Sequence, residues 1–126
     1  MLNSIIVIGR LTRDPEIRTT SNGTPVGTFT VAVDRAFTNA KGEKETDFIP
    51  VVVWRGLAEN CGRYLTKGKL CAVKGSLQIR TYEANDGSKR TVAEINADDV
   101  KFLSPKDSHA SVFGGDEIPA FDEIPL

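Results

Sequence analysis

Residues 46–68 read TDFIPVVVWRGLAENCGRYLTKG, and this stretch changes from the two-residue period of a strand to the longer period of a helix. Side chains in residues 46–54 alternate between the two faces of an extended chain. One face carries Ile49, Val51 and Val53, and the other carries Phe48, Pro50, Val52 and Trp54. Both faces are apolar, so the first is expected to fill a core and the second needs a separate explanation.

Residues 56–68 continue the chain with a helical pattern. One stripe of this helix carries the apolar side chains Leu57, Ala58, Cys61, Tyr64 and Leu65. Gly68 follows in the position of a C-terminal cap. This is the only stretch of the sequence that predicts a helix convincingly.

The segments before this stretch have the alternation of strands. Residues 2–11 contain the apolar run IIVI, which fits burial on both faces, either in a core or at a subunit contact. Residues 16–20 continue extended, and Asn22-Gly23 is the strongest hairpin signal in the chain. Residues 26–38 then alternate cleanly, with Phe29, Val31 and Val33 on the face predicted to be inside.

The segments after the helix complete the pattern. Residues 69–83 alternate, and the side chains predicted to point inward are Cys71, Val73, Leu77 and Ile79. A turn at Asn85-Asp86-Gly87 leads to a last strand in residues 88–103. Five strands with one helix between the third and the fourth predict an all-β protein with a five-stranded OB-fold barrel. A small β-sandwich is the alternative.

The length of the chain, its first residues and its cysteines limit the class of protein. A chain of 126 residues is long enough for one domain with a real core. No apolar run approaches the ~20 residues of a membrane span, and the start MLNS is unlike a signal peptide, which predicts a cytoplasmic protein without a membrane partner. Cys61 and Cys71 lie in apolar patterns without CxxC spacing, which favours buried thiols over a disulfide.

The charge is unevenly divided along the chain. Residues 1–103 hold 15 basic and 12 acidic side chains, whereas residues 104–126 hold one and five. A mildly basic body can neutralise phosphates, and an acidic tail can compete with them or bind a basic partner.

Three aromatic rings are predicted to lie on the outer surface. If Ile49, Val51 and Val53 fill the barrel, the pleat puts Phe48 and Trp54 outside, about 20 Å apart. Tyr82 is placed outside in the same way, on the face that carries Arg80 and Lys74. Exposed rings interleaved with cations are typical of single-stranded nucleic-acid binding. The other interpretation is that these rings pack on a neighbouring subunit or under the helix.

The sequence also resembles the bacterial single-stranded DNA-binding proteins (the SSB family), over residues 1–104 and again at the last few residues. The resemblance is carried by MLNSIIVIGRLTRDPEIRTT (1–20), SNGTPVGTFTVAVDRAF (21–37), TDFIPVVVWRGLAENCGRYLTKG (46–68) and GSLQIRTYEANDGSKR (75–90). It implies that four rings stack bases: Phe37, Phe48, Trp54 and Tyr82. The assignment of Phe37 depends on the resemblance alone. In the alternation Phe37 falls on the same side of the strand as Phe29, and only a bend near Arg35 would expose it.

The resemblance further implies phosphate-binding cations and an assembly. About half of the candidate cations are expected to contact phosphates. The candidates are Arg10, Arg13, Arg18, Arg35, Lys44, Arg55, Lys74, Arg80, Lys89 and Arg90. Members of the family are usually homotetramers assembled partly through the first strand.

Residues with the chemistry of an enzyme or a metal site are scarce. His109 is the only histidine, and Cys61 and Cys71 are not at metal-ligand spacing from it. Asp98-Asp99 and the acids at 43, 45 and 47 lie at strand edges and in loops, where acids are mostly solvated. The sequence predicts no metal, no cofactor and no enzymatic activity.

The chain ends with a repeated motif, Asp-Glu-Ile-Pro at residues 116–119 and again at 122–125. The resemblance implies a flexible linker and an acidic tip that docks on replication and repair enzymes, formed here by Asp122, Glu123, Ile124, Pro125 and Leu126. Leu126 stands where the family usually has phenylalanine, and the linker is short. The first copy is either a second weak docking segment or drift, and a merely solubilising tail is the alternative for the whole.

These inferences define two regions, an OB-fold single-stranded DNA-binding domain in residues 1–104 and a flexible linker with its tip in residues 105–126. The function expected is sequence-independent binding and protection of single-stranded DNA in replication, recombination and repair. The protein is expected to be a homo-oligomer associated with the nucleoid. Two rivals are a phage-borne, competence-related or primosomal relative, and an OB-fold adaptor for RNA or protein.

Overall fold

The computed structural model describes residues 1–104, so the predicted linker and tip in residues 105–126 lie outside the described residues. Within residues 1–104 there are six strands and one helix. They are β1 (Ile5–Leu11), β2 (Glu16–Thr19), β3 (Pro25–Thr38), β4 (Lys44–Trp54), α1 (Arg55–Tyr64), β5 (Leu70–Glu83) and β6 (Lys89–Phe102).

Five of the strands close into a barrel. The strand order is β1-β5-β6-β4-β3-β2, and β1 also pairs with β3. β1 bonds to β5 along Ile5–Arg10 and to β3 at Arg10 and Leu11, so the sheet closes on itself. β4 and β6 are parallel, and the other pairs are antiparallel. The predicted five-stranded barrel with its helix between the third and fourth barrel strands is confirmed, and closure excludes the sandwich.

The core follows the alternation of β3 and β4. Val31, Val51 and Val53 are fully buried, and Phe29 is nearly so. Cys71 and Val73 of β5 and Ile95 of β6 join them, and α1 covers one end of the barrel with Ala58 and Cys61, followed by Leu65 directly after the helix. Both cysteines are free and buried, which confirms the prediction of thiols.

The short edge strand β2 packs against the helix through the side chain of Ile17. Its residues pair with β3, and the predicted turn at Asn22-Gly23 connects the two strands; Gly23 has a φ of +87°. Ile17 lies over Gly27 of β3 and Gly62 of α1, where a Cβ would approach its side chain to 2.6 Å and 2.7 Å. Two glycines therefore make the slot that joins β2 to the helix.

The end of the helix differs from the prediction. α1 ends at Tyr64, and the N–H of Leu65 donates to the carbonyl oxygen of Cys61 at 3.0 Å. Gly68, with a φ of +88°, belongs to the turn before β5 and is not the helix cap. Tyr64, predicted on the buried stripe, is 50% exposed because it lies at the rim of the barrel beside Phe102.

The prediction that Leu77 and Ile79 point into the core is wrong. β5 and β6 stay paired as far as Glu83 and Lys89, whereas β6 pairs with β4 only at Ile95 and Asn96. From Leu77 onward the two strands form a hairpin that leaves the barrel, and we call residues 77–94 the arm. The alternation continues into the arm, but no second layer covers it there, so Leu77 is 40% and Ile79 60% exposed.

Candidate nucleic-acid interface

The outer face of β4 carries two of the predicted stacking rings. Phe48, Pro50, Val52 and Trp54 point away from the core. Phe48 is 65% exposed and Trp54 is 44% exposed, as the alternation requires. The two rings are six positions apart along the strand, or about 20 Å.

Each of these rings shares a cross-strand row with an arginine. Arg18 of β2 is paired with Val26 of β3, which is paired with Trp54. Arg10 of β1 is paired with Ala32, which is paired with Phe48. Paired residues point to the same face of a sheet, so each arginine lies two strands, or about 10 Å, from its ring.

A groove of about 230 Å³ lies between the two rings. Its floor includes Thr28, Thr30, Pro50 and Val52, and its rim includes Arg13, Asp14, Glu16 and Glu94. The rim therefore carries three carboxylates and one guanidinium group. Glu16 and Glu94 are ion-paired with Arg18 and Arg80, so the charges around the groove are close to balanced.

The arm carries the third ring. Tyr82 is 47% exposed, and the Arg80 guanidinium lies 5.9 Å from the centre of its ring. Arg90 is paired with Tyr82 across the arm, and its guanidinium donates to Ser88 and Asp86. Arg80 also donates from Nε to Glu94 at 2.7 Å, which ties this cluster to the rim of the groove.

Phe37 is the most exposed of the four rings, with 82% of its surface accessible. The register between β3 and β4 shifts between Asp34 and Thr38, and Phe37 lies in that interval. This irregularity lies where a bend is needed for Phe37 to point away from the face that carries Phe29.

Several candidate cations are already held by carboxylates. Arg35 donates two hydrogen bonds to Asp47, at 2.9 Å and 3.0 Å, and lies 3.2 Å from Glu45. The hydrogen bond from Arg35 lowers the pKa of Asp47. Arg18 forms a 2.9 Å ion pair with Glu16 and lowers the pKa of that carboxyl group.

Other candidate cations differ in their surroundings. Arg90 lies 3.5 Å from Asp86, and Arg10 donates to the carbonyl oxygen of Gly68 at 3.0 Å. No ion pair with another of residues 1–104 is formed by Arg13, Lys44, Arg55, Lys74 or Lys89. Arg55 begins α1 with a φ of 57°, directly after Trp54.

Lys74 is not brought to Tyr82, although both lie on the same strand. It is eight residues, or about 27 Å, away and is paired with Ile6 of β1. Ile6 is 65% exposed, while Ile5 and Val7 pack against the core. Within the single chain Ile6 is therefore the exposed residue of the IIVI run, and Ile8 on the same face is half-buried.

Among residues 1–104, no group of three or more histidine, cysteine or acidic side chains is placed to hold a metal ion. The helix in this part of the chain is too short and too polar to cross a membrane.

The closed barrel with its helix defines an OB-fold protein, and the outer face of exposed rings and arginines is typical of those that bind single-stranded nucleic acid. Residues 2–103 match the model of the Single-strand binding protein family. The chain belongs to that family, as the resemblance predicted.

Relatives in several bacteria are similar over most of the chain. Single-stranded DNA-binding protein 2 of Staphylococcus aureus (strain Mu50 / ATCC 700699) is 58% identical over 106 residues, which cover 84% of this chain and 75% of the relative. The single-stranded DNA-binding protein of Caldanaerobacter subterraneus subsp. tengcongensis is 50% identical over 98% of this chain and 82% of its own length. That of Bacillus cereus (strain ATCC 14579) is 48% identical over 99% of this chain and 71% of its own length.

Proposed function

We propose that this protein coats and protects single-stranded DNA without regard to sequence, as a binding protein and not an enzyme. Membership of the single-strand binding protein family supports the class of ligand. The observation that carries the proposal is the pairing of rings with cations: Arg10 with Phe48, Arg18 with Trp54, and Arg80 with Tyr82. Bases stack on the rings while the arginines neutralise phosphates.

Stacking explains why the binding ignores sequence. Every base has a π-face, and each stacked base contributes about 1–3 kcal/mol. Duplex DNA keeps its bases stacked on one another and cannot offer them to Phe48, Trp54 or Tyr82. Single strands are therefore bound in preference to duplexes.

The groove between Phe48 and Trp54 sets the orientation of the bound strand. Its floor of Thr28, Thr30, Pro50 and Val52 carries no charge, so phosphates turn outward, toward the cations that surround the face, while the rim keeps carboxylates that include Glu16 and Glu94. Base amino groups can donate to these carboxylates. The bases therefore point into the face and the backbone lies along its margin.

Self-assembly is part of the proposal. Ile6 is apolar and 65% exposed in the single chain, on the outer side of the first strand. Covering it with the same strand of a second copy would remove apolar surface from water. We infer a homotetramer in which the first strand lies at a subunit interface.

The C-terminal residues are proposed to recruit replication and repair enzymes. Asp122 and Glu123 supply negative charge, and Ile124 and Leu126 are apolar anchors. A short peptide of this kind suits a basic pocket with an apolar floor. The protein would act in the cytoplasm, on DNA that is exposed during replication, recombination and repair.

Nuclease protection tests the binding function. A labelled single strand and the matching duplex are digested with increasing amounts of the full chain. Protection of the single strand at a fixed ratio of protein to nucleotide, with the duplex still cut, is the expected result. Equal digestion with and without protein would contradict the proposal and favour an adaptor whose rings bind protein.

Recruitment is tested separately by deleting Leu126. The deletion should leave single-strand protection unchanged, because the rings and cations of the barrel are intact. It should weaken capture of a purified replication or repair enzyme, measured by surface plasmon resonance. Unchanged capture would show that the tip is only a solubilising end.

A further inference from the structure

A second ring and cation cluster lies at the far end of the helix. Tyr64 and Phe102 are in contact, with ring centres 5.8 Å apart and planes tilted by 48°. Tyr64 is 50% and Phe102 39% exposed, in the same range as Trp54 and Tyr82. We call Arg63, Tyr64 and Phe102 the helix-end patch.

The patch repeats the geometry of the arm. The Arg63 guanidinium lies 5.9 Å from the centre of the Tyr64 ring, the same distance that separates Arg80 from the ring of Tyr82. Arg63 forms no ion pair with an acid among residues 1–104, whereas Arg80 is held by Glu94. The cation beside Tyr64 is therefore available to an incoming phosphate.

The helix connects the patch to the proposed binding face. Trp54 immediately precedes α1 and Tyr64 is its last residue. Ten residues of helix rise about 15 Å, which is less than the separation of Phe48 and Trp54 along β4. A strand that leaves Trp54 reaches the patch by crossing one helix length.

Exposed charges mark this path. Glu59 and Arg63 are four residues apart and share one face of α1, and Arg55, whose φ of 57° is not helical, begins the helix one turn before Glu59. The two arginines favour a passing phosphate backbone, and Glu59 between them opposes it. Removing the charge of Arg63 and removing that of Glu59 should therefore change the affinity for DNA in opposite directions.

We propose that the helix-end patch is an additional single-stranded DNA subsite, where Tyr64 and Phe102 stack a base and Arg63 contacts the adjoining phosphate. This subsite rests on the proposed function, because it extends the path of a strand already bound at Trp54. A protein segment with acidic and apolar residues is the other occupant, and the test distinguishes it. The ring–cation geometry shared with Tyr82 favours the nucleic acid.

The test compares oligo-dT of increasing length, from about 4 to about 16 nucleotides, the range of sites on one OB fold. Quenching of Trp54 fluorescence reports binding to the full chain. The variants are Tyr64→Leu, which keeps apolar contact with Phe102, and Tyr64→Phe, which keeps the ring. Arg63→Gln and Glu59→Gln probe the two charges.

The proposal predicts effects that depend on length. Tyr64→Leu should bind the shortest oligonucleotides as the unmodified chain does and the longest ones about 5- to 150-fold more weakly, the loss of one stacked base. Tyr64→Phe should bind all lengths normally. Arg63→Gln should weaken, and Glu59→Gln strengthen, binding of the long oligonucleotides at low salt.

Two outcomes would overturn the subsite. Equal affinity of Tyr64→Leu and the unmodified chain at every length would leave the patch to a protein partner or to the rim of the core. An equal loss at every length, with a lower melting temperature, would show that Tyr64 supports the barrel. Failure of the unmodified chain to bind even the shortest oligonucleotides would instead refute the proposed function.

Discussion

At the scale of single residues, arginines of the proposed binding face are already ion-paired with carboxylates of the same chain. Arg18, Arg35 and Arg90 each lie within 3.5 Å of an exposed carboxylate oxygen, whereas the Glu94 partner of Arg80 has a side chain only 12% exposed. Exposed ion pairs contribute little, with typical values of about 0–1 kcal/mol, so a phosphate can replace the carboxylate at small cost. In the proposed function, these pairs would open when DNA phosphates bind the arginines.

Asp47→Asn tests this exchange. Removal of one negative charge beside Arg35 should tighten oligo-dT binding about 2- to 5-fold at low salt, the scale of one exposed pair. Fluorescence titration at several salt concentrations measures the change. The two proteins should converge at high salt, where such charges are screened. Weaker binding by the variant would mean that Asp47 positions Arg35 and does not compete with phosphate.

The same pair predicts a pH dependence. The hydrogen bond from Arg35 holds the pKa of Asp47 below its ordinary value of 3.8. A depressed pKa means that the pair's contribution is present above the unfolded value and is lost as pH falls through the folded value. Oligo-dT titrations between pH 5 and pH 8 should therefore show the same pH dependence for Asp47→Asn and the unmodified chain. A difference between them in this range would contradict the assignment.

The cysteines make an independent prediction about the core. Burial raises the pKa of Cys61 to about 12 and that of Cys71 to about 11. Neither should react with Ellman's reagent at pH 8 in the folded protein, since the thiolate is the reactive form. Both should react after unfolding in guanidinium chloride. Fast reaction of either thiol in the folded protein would contradict the described packing.

At the scale of elements, the slot for Ile17 joins β2 to α1. In Gly62→Ala the new Cβ would lie 2.7 Å from Cγ1 of Ile17, so β2 or the helix must shift. We expect the free energy of unfolding to fall by about 1–3 kcal/mol, as for overpacked cores. DNA binding should also weaken, because β2 places Arg18 in the row of Trp54.

Gly56→Ala is the matched control in the same helix. Nothing lies within 4 Å of a Cβ at Gly56, so this change should raise the free energy of unfolding by about 0.4–1 kcal/mol. Guanidinium chloride unfolding of both variants measures the contrast. Equal stability of the two would show that Ile17 moves aside freely and that the slot has no structural role.

The elements also show what the sequence could and could not predict. Alternation in β3 and β4 identified the inner Val31 and Val51 and the outer Phe48 and Trp54, because both strands have the barrel core on one side. The same rule failed at Leu77 and Ile79, since periodicity tells which side a residue faces but not where the barrel ends.

The site was predictable only where local pattern determined it. The rows that join Arg10 to Phe48 and Arg18 to Trp54 depend on strand pairing between distant segments, which no local pattern contains. The helix-end patch was missed because Tyr64 fits a buried helical stripe. Only the position of α1 at the rim of the barrel leaves its ring half exposed.

At the scale of the whole molecule, the exposed rings are distributed over two parts of the structure, the barrel and the arm. Phe48 and Trp54 lie on the barrel, and Tyr82 lies on the arm that extends from it. In the proposed function, a strand contacting all three would cross the groove and follow the arm, so the number of stacked bases would depend on the length of the strand.

The most direct test of this account is the fluorescence of Trp54, the only tryptophan in the chain, during titration with oligo-dT at low and high salt. Base stacking predicts quenching that saturates at a fixed number of nucleotides and resists salt in part, because stacking is not screened. Phe48→Ala/Tyr82→Ala, which removes two exposed rings, should bind at least about 30-fold more weakly with an unchanged melting temperature. Absence of quenching, or equal affinity of the double variant, would contradict base stacking on this face.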